Sequence, residues 1–261
     1  HPLKYLLALA DMIHGDGSFI FENTRAIDIH TETKYSISTD TGFRVNAPNV
    51  IIATHYPFYD GNGMYFARIF PERSYALGVT ISGKYPGGMY ISAEDPGRSY
   101  RSQPLENGEE LVIIGGEHHK TGQGGDTSTH YEKLLETARN IFNVKDVLYR
   151  WSTQDYTTID EVPYVGPLNS KDPGIYVATG YRKWGMTNSI AAAMILRDYI
   201  TGKENDWAAV FLPSRFKPAA SAGKFITENA DVAKQLIKGK LSPADTQLDI
   251  SPGQAKVVEI N

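Results

Sequence analysis

Two short apolar segments constrain the fold more than any other feature of this 261-residue sequence. Residues 50–54 (VIIAT) and 175–179 (IYVAT) lack the apolar–polar alternation of a half-exposed strand. Continuous apolar runs of this kind are typical of strands that are buried on both faces of a parallel sheet. Both segments end in Ala-Thr, and an α/β sheet binds its ligand at the carboxyl ends of its strands. We therefore expect the two segments to be neighbours in one domain, although residues 55–174 separate them.

The region between these segments follows a different pattern. Longer strands, separated by Gly- and Pro-containing turns, are predicted at residues 64–70, 74–82, 89–92 and 110–114, and an amphipathic helix at about 128–142. This pattern predicts a mostly antiparallel sheet with a helix on one face, inserted as a second domain into the first. The expected fold class is therefore α/β plus α+β.

The chain is predicted to begin with a helix. Apolar residues recur at helical spacing over residues 2–14, Pro2 suits the first turn, and Gly15 suits the position just past the end. Short strands should follow at residues 18–22, 25–30, 35–39 and 43–46, with a hairpin turn at 40–42.

Composition excludes several classes of protein. With 26 Lys and Arg against 30 Asp and Glu, the net charge is -4, which argues against a nucleic-acid binder. There is no cysteine, so the chain has no disulfide, thiol nucleophile or thiolate metal site. The adjacent His118 and His119 lack a metal-ligand spacing, and we predict no metal site. No apolar run is long enough to span a membrane and no signal peptide precedes His1, and we expect a cytoplasmic protein. Because the first residue is His1 and not Met, and a helix is predicted to start there, we expect the chain to be a piece of a longer one.

The segment 180–189 (GYRKWGMTNS) is the most informative motif. A buried strand leads into a loop flanked by Gly180 and Gly185, and the loop leads into a helix at about residues 187–200, with Gly202 as its stop. Residues 190–196 are apolar nearly all round, so we expect this helix to be buried. The free amides and the positive dipole end of that helix would face an anionic or electron-rich oxygen. A tight turn whose glycines serve only packing is the alternative, and spacing alone does not separate the two.

Several blocks of the sequence, taken in order, resemble the D-amino-acid-oxidase-like FAD-dependent oxidoreductases, which include sarcosine and glycine oxidases. The helix at residues 1–5 with Gly15, the strand 49–54, the block 150–166 and the segment 174–187 match the family's pattern in order and spacing. His55 departs from the pattern, because the family usually has glycine after this strand. The resemblance covers residues 2–202 and implies a FAD-binding, Rossmann-like domain with an inserted substrate-binding sheet domain.

The resemblance also implies roles for individual residues. Ala26 would contact the adenine of FAD through its backbone, and Ala53 and Thr54 would lie beside the ribityl chain. The flavin itself would be lined by Gly180, Lys183, Trp184, Gly185, Met186 and Thr187. Family members usually bind a substrate carboxylate through an arginine and a tyrosine, and the residues of this chain nearest that description are Arg150, Tyr156 and Arg68. No catalytic residue is assigned.

Domain boundaries follow from the same resemblance. Residues 1–56 and 159–203 would form part of a FAD-binding domain, 57–158 the substrate-binding domain and 204–246 a C-terminal extension. Within the extension, a helix is predicted near residues 231–238. Residues 247–261 resemble the first strand of a Rieske-type ferredoxin domain, whose [2Fe–2S] ligands would follow Asn261. The family's opening Gly-x-Gly-x-x-Gly turn, which binds the FAD pyrophosphate, is absent from the sequence. We therefore expect this piece alone to bind FAD poorly and to be inactive.

The implied activity is oxidation of the C–N bond of a small amine or amino acid by hydride transfer to flavin N5. Electrons would then pass to the Rieske [2Fe–2S] cluster or to another redox acceptor. Two alternatives stay open: a non-catalytic binding module that keeps the fold, and another two-domain flavoprotein of the squalene- or tRNA-modifying type. The sequence does not name the substrate, the final acceptor or the oligomeric state.

Overall fold

A computed structural model describes residues 1–32, 35–215 and 222–241. The chain forms two compact units, His1–Phe216 and Lys217–Asn261. In chain order, the first unit contains α1 (Pro2–Ile13), β1 (Ala26–His30), β2 (Tyr35–Thr39), β3 (Arg44–Ala47), β4 (Val50–Ile52), α2 (Tyr65–Arg68), β5 (Ile69–Ile81), β6 (Tyr90–Ile91), β7 (Arg98–Pro104), β8 (Glu110–Lys120), α3 (Ser128–Ile141), β9 (Val144–Thr158), β10 (Tyr164–Pro167), β11 (Ile175–Thr179), α4 (Gly185–Thr201) and α5 (Ala208–Phe211). A 3-10 turn at Pro213–Arg215 follows α5.

The N-terminal helix and the first antiparallel sheet largely follow the sequence pattern. α1 is confirmed, with Pro2 in its first turn, and β1, β2 and β3 form a sheet in that order. The predicted hairpin is confirmed, and Gly42 adopts φ +85 in its turn. The strand predicted at residues 18–22 is wrong, because only one isolated bridge, between Gly15 and Ser18, forms there.

The inserted region forms a five-stranded antiparallel sheet with the order β6-β7-β8-β5-β9. Helix α3 packs on one face, and the core between helix and sheet includes Leu77, Val112, Ile114 and Leu134, all nearly or completely buried. The predicted architecture, an antiparallel sheet with a helix on one face, is therefore confirmed.

The strand predicted at residues 64–70 is wrong in its first half, where the chain forms α2. The Asp60 carboxylate accepts hydrogen bonds from the amides of Met64 and Tyr65 at 2.9 and 2.6 Å. Met64 adopts a left-handed conformation with φ +54. Because these local bonds favour a turn, they outweigh the strand preference of the aromatic residues that follow.

Strands β4 and β11 lie side by side and parallel, in a three-stranded sheet with the order β10-β11-β4. Val50, Ile51 and Ile52 are opposite Ile175, Tyr176 and Val177. All five residues of β11 are buried. The prediction that these two segments are neighbours is confirmed, and their carboxyl ends meet at one edge of the sheet.

Helix α4 packs on this sheet through Ala192, Ile195 and Leu196. It ends, as predicted, at Gly202, which adopts φ +68 and closes the last turn with its own amide. The first of its residues, Gly185, lies directly after the loop that leaves β11. The helix therefore points its N-terminus toward the carboxyl edge of the parallel strands.

One stripe of α4 is not buried, although the apolar composition predicts burial all round. Met186, Ile190 and Met194 are 41%, 51% and 38% exposed. They are spaced four residues apart and so share one face of the helix. The expectation of a fully buried helix is wrong for this face.

Helix α6 (Ala222–Leu241) is the described part of the second unit. It contains the helix predicted near residues 231–238. The Rieske-like segment 247–261 lies outside the described residues, and the predicted domain boundaries stay predictions. Within the described ranges, no helix is both long and apolar enough to cross a membrane.

Candidate functional site

The carboxyl ends of β4 and β11 are connected by a hydrogen bond. The Thr179 hydroxyl donates to the carbonyl oxygen of His55. His55 adopts φ +66, a left-handed conformation that is uncommon for a residue with a side chain. Ala53 and Thr54, which the family resemblance assigns to cofactor binding, are exposed between β4 and this contact. They therefore lie at the edge where an α/β sheet binds its ligand.

Gly180 turns the chain away from the end of β11. It adopts φ +79, and a Cβ at this position would collide with the methyl group of Thr158. The next residues stay beside β9, because Tyr181 bridges to Thr157 and the Arg182 amide donates to the Tyr156 carbonyl at 3.1 Å. At Gly180, close packing between two chain segments is therefore sufficient reason for glycine.

The N-terminus of α4 has the features of a ligand-binding helix end. Trp184 stands at the cap position and makes no side-chain hydrogen bond to the first turn. Beyond its two chain neighbours and the backbone of its own helix, no heavy atom of the described residues lies within 4 Å of the position that a Cβ would take on Gly185. Met186 and Thr187 are exposed beside it. The first amides and the positive end of the helix dipole therefore face open space, where they favour an electron-rich oxygen.

Lys183 connects this loop to the antiparallel sheet. Its Nζ donates to Oδ2 of Asp155 at 2.7 Å and to Oγ of Ser74 at 2.8 Å. The Asp155 side chain is 18% exposed and Ser74 is buried. The ammonium group therefore lies on β5 and β9, whereas the backbone of Lys183 belongs to the loop before α4.

A cavity of about 400 Å³ opens on the five-stranded sheet, and we call it the sheet pocket. Its lining includes Ser74, Ala76, Ile91, Arg98, Ser99, Arg101, Gly115, His118, Trp151, Thr153, Asp155 and Lys183. Residues of a strand alternate between its two faces, so Ser99 and Arg101 of β7 and Ser74 and Ala76 of β5 lie on the face away from the core residue Leu77 and from α3. Arg98 belongs to the other face of β7, where Glu117 connects it to His130 and Lys133 of α3, and it borders the pocket at the start of the strand.

Strand register explains the shape of the sheet pocket. Ser99, Gly115 and Ala76 are opposite one another on β7, β8 and β5. The same row continues to Ile91 on β6 and to Trp151 on β9. Three small residues therefore form the floor, and a larger apolar side chain stands at each end of the row.

The structure separates Arg150 from Tyr156, two of the predicted substrate-binding residues. Arg150 is exposed on β9 and lines a groove with α3, on the face of the sheet away from Lys183. The ring of Tyr156 lies edge-on to the ring of His55, with 4.8 Å between centroids. The Tyr156 hydroxyl accepts a hydrogen bond from the side-chain amide (Nε2) of Gln154 at 2.8 Å. Tyr156 is therefore close to the end of β4, whereas Arg150 is not.

Arg68 lies in α2, and its predicted placement on a strand is wrong. Its buried guanidinium stacks on the rings of Tyr65 and Tyr164, 4.3 and 4.7 Å from their centroids, and donates to the Pro213 carbonyl at 2.9 Å. These contacts pack the turn at 213–215 onto the core. Substrate contact by Arg68, Arg150 or Tyr156 stays a prediction.

Ala26, the predicted adenine contact, is the first residue of β1. The pairing of β1 with β2 is irregular between Ala26 and Asp28. Such a bulge leaves backbone groups outside the ladder. Ala26 itself is opposite Thr39, and Ile27 is the residue without a partner in the register. The contact between Ala26 and adenine stays a prediction.

Apart from Lys183, the residues that line the sheet pocket were not predicted as binding residues from the sequence. Trp151, Thr153 and Asp155 lie on one face of β9 and Arg150 on the other, as alternation along a strand requires. That alternation was the available signal. The pairing of Asp155 with Lys183 had no local signal, because it joins residues 28 apart in sequence.

A second cluster of charges borders the sheet pocket. Glu117 accepts hydrogen bonds from Arg98 at 2.5 Å and from His130 at 3.1 Å, and Lys133 lies 3.5 Å away. Burial raises the pKa of Glu117, but the bonds from His130 and Arg98 outweigh it, and the net pKa lies below the ordinary value of 4.5. The cluster fixes Arg98 at the pocket wall. His118 and His119 lie on β8 itself and not in a loop.

Comparison with known proteins shows which family the chain belongs to. The profile of the family described as FAD dependent oxidoreductase matches residues 1–199. The chain belongs to this family. The resemblance drawn from the sequence motifs and the expected fold class are thereby confirmed.

One curated relative of this chain is YhfW of Bacillus subtilis (strain 168), which is named as a Rieske 2Fe-2S iron-sulfur protein. The two are 45% identical over 262 residues, which cover 100% of this chain and 51% of YhfW. The chain therefore spans about half the length of this relative.

Solved structures show the same fold. Glycine oxidase from Geobacillus kaustophilus matches with a TM-score of 0.57 and 20% identity, over 77% of this chain and 54% of that chain. An L-amino acid deaminase from Proteus vulgaris matches with a TM-score of 0.59 and 21% identity, over 77% and 51%. At this identity, the likeness establishes the fold alone.

Proposed function

We propose that this chain forms part of the FAD site and the substrate pocket of an enzyme that oxidises the C–N bond of an amine or amino acid. One observation carries the proposal: Lys183 belongs to the loop at the uncapped start of α4, and its ammonium group lies on the wall of the sheet pocket. The edge that suits a flavin and the cavity that suits a substrate therefore adjoin.

The residues present fit FAD. Gly185 leaves open space at the helix N-terminus, and the amides of the first turn can donate to the pyrimidine oxygen of a flavin. Ala53 and Thr54 are exposed at the neighbouring strand end. When bound, FAD supplies the acceptor for a hydride from the carbon that carries the amine. The chain's own residues bind and orient the two molecules.

The sheet pocket supplies the substrate side. Trp151 and Ile91 give it apolar walls, and Asp155 and Lys183 give it a polar end. That end lies next to the proposed cofactor edge, which is formed by the carboxyl ends of β4 and β11 and the start of α4. Because Lys183 is held by both Asp155 and Ser74, its charge has a defined position. This arrangement can orient a small molecule with one polar and one apolar part.

Transfer of electrons onward to a [2Fe–2S] cluster is the second part of the proposal. It rests on the printed name of YhfW and on the likeness of residues 247–261 to the start of a Rieske-type domain. A cluster would make the enzyme a dehydrogenase more than an oxidase. The cytoplasmic location stays a prediction.

The test uses the full-length protein that contains this chain. The protein should be yellow from bound FAD, and anaerobic addition of an amine or amino acid from a panel of secondary amines, glycine derivatives and D-amino acids should bleach the flavin absorbance. Bound FAD with no bleaching by any member of the panel would contradict amine oxidation. Absence of bound FAD would favour the non-catalytic binding module.

A further inference from the structure

The basic side chains that line the sheet pocket differ in their partners. Arg98 is paired with Glu117, and Lys183 is paired with Asp155. The third, Arg101, is exposed on β7, and no described carboxylate forms an ion pair with it. The pocket therefore carries one positive charge that the described part of the chain does not neutralise.

Arg101 lies at the end of the pocket far from the cofactor edge. It is opposite Ile113 and Gly78, which places it two strands across and four residues along from Ser74, the partner of Lys183. At ordinary strand spacing and rise, about 16 Å separates the two Cα positions. The floor residues Ala76 and Gly115 lie between these two ends, and Trp151 borders the floor on β9.

We propose that Arg101 binds a carboxylate of the substrate that is remote from the C–N bond undergoing oxidation. This inference rests on the proposed function and narrows it to amines that carry an anionic group several carbons away. A guanidinium binds a carboxylate through two parallel hydrogen bonds, which fixes both the position and the orientation of the substrate. The apolar walls suit an aliphatic or aromatic connection between the two polar ends.

The experiment compares three probes on the full-length protein by ligand-observed NMR titration. The probe 6-aminohexanoate carries an amine and a remote carboxylate, hexylamine lacks the carboxylate, and glycine carries it next to the amine. Wild type should bind 6-aminohexanoate about tenfold more tightly than hexylamine, since a charge-assisted hydrogen bond at a partly exposed site has about that effect. Glycine is too short to reach Arg101 and should show no such gain.

Variants locate the effect. Arg101→Gln should lose the preference for 6-aminohexanoate and leave hexylamine unchanged, and Arg101→Lys should restore part of it. Arg139→Gln is the matched control, because Arg139 is exposed on α3 at the opposite face of the sheet. It should bind all three probes as wild type does. Thermal melting of each variant shows whether it folds.

Two results would overturn the proposal: no preference for 6-aminohexanoate in wild type, or a preference that survives in a folded Arg101→Gln variant. Neither result depends on turnover. Failure of flavin bleaching with a retained Arg101-dependent preference would therefore contradict the proposed oxidation and leave the carboxylate site supported.

Discussion

Two sheets of the first unit, the five-stranded antiparallel sheet and the three-stranded sheet that contains β4 and β11, differ in how completely the described residues cover them. The antiparallel sheet has its own helix, α3, and a core in which Leu134 is fully buried. The parallel pair also has a helix, α4, but Ile190 on that helix and Ile51 on β4 are 51% and 46% exposed. The difference shows that an apolar run predicts a strand or helix reliably, whereas its burial depends on what covers it. A chain that spans about half of YhfW need not contain that cover.

The largest expected effect is a loss of stability when a buried side chain between α3 and the antiparallel sheet is shortened. Leu134→Ala should lower the free energy of unfolding by about 2–5 kcal/mol, because it leaves a cavity in a fully buried position. Ile190→Ala, on the exposed stripe of α4, should change it by about 0.5 kcal/mol or less. Urea unfolding of the two variants checks both values. Equal losses would contradict the contrast between the sheets.

A smaller change in the free energy of unfolding is expected at the two glycines between β11 and α4. Gly180→Ala should destabilise by about 2 kcal/mol, because φ +79 strains a side chain and its Cβ meets Thr158. Gly185→Ala is the matched control and should change stability by about 0.5 kcal/mol or less, since its Cβ would meet nothing. In the full-length protein, the same Gly185→Ala variant should weaken FAD retention. Normal FAD retention in this variant would contradict the proposal that the start of α4 contacts the flavin.

The smallest effect concerns acid stability of the antiparallel sheet. The folded-state pKa of Glu117 lies below its ordinary value of 4.5. Its contribution is therefore present above about pH 4.5 and is lost as the pH falls through the folded-state pKa. Glu117→Gln should flatten the dependence of the free energy of unfolding on pH below 4.5, measured by urea unfolding from pH 5 to pH 3. Glu136→Gln, an exposed change on α3, is the control and should keep the wild-type slope.

Whether a part of the fold or of the site could be predicted from the sequence depends on whether neighbouring residues in the sequence carry the information. The pairing of β4 with β11 could be predicted, because both segments are apolar runs without alternation. The burial expected on both faces holds for β11 and is wrong for β4, where Ile51 is exposed. Placing Arg68 on a strand failed because the Asp60 carboxylate starts a helical turn there. Asp155 was missed because its partner, Lys183, comes from another part of the chain. Long-range pairs of this kind have no periodicity to reveal them.

The position of Lys183 couples the start of α4 to the sheet pocket. Its main chain belongs to the loop before α4, whereas its charged end is hydrogen-bonded to residues of β5 and β9. A molecule that displaced Asp155 or Ser74 would free the ammonium group of Lys183 from both partners. With FAD bound as we propose, the electrostatic potential at the flavin would then depend on whether the sheet pocket is filled.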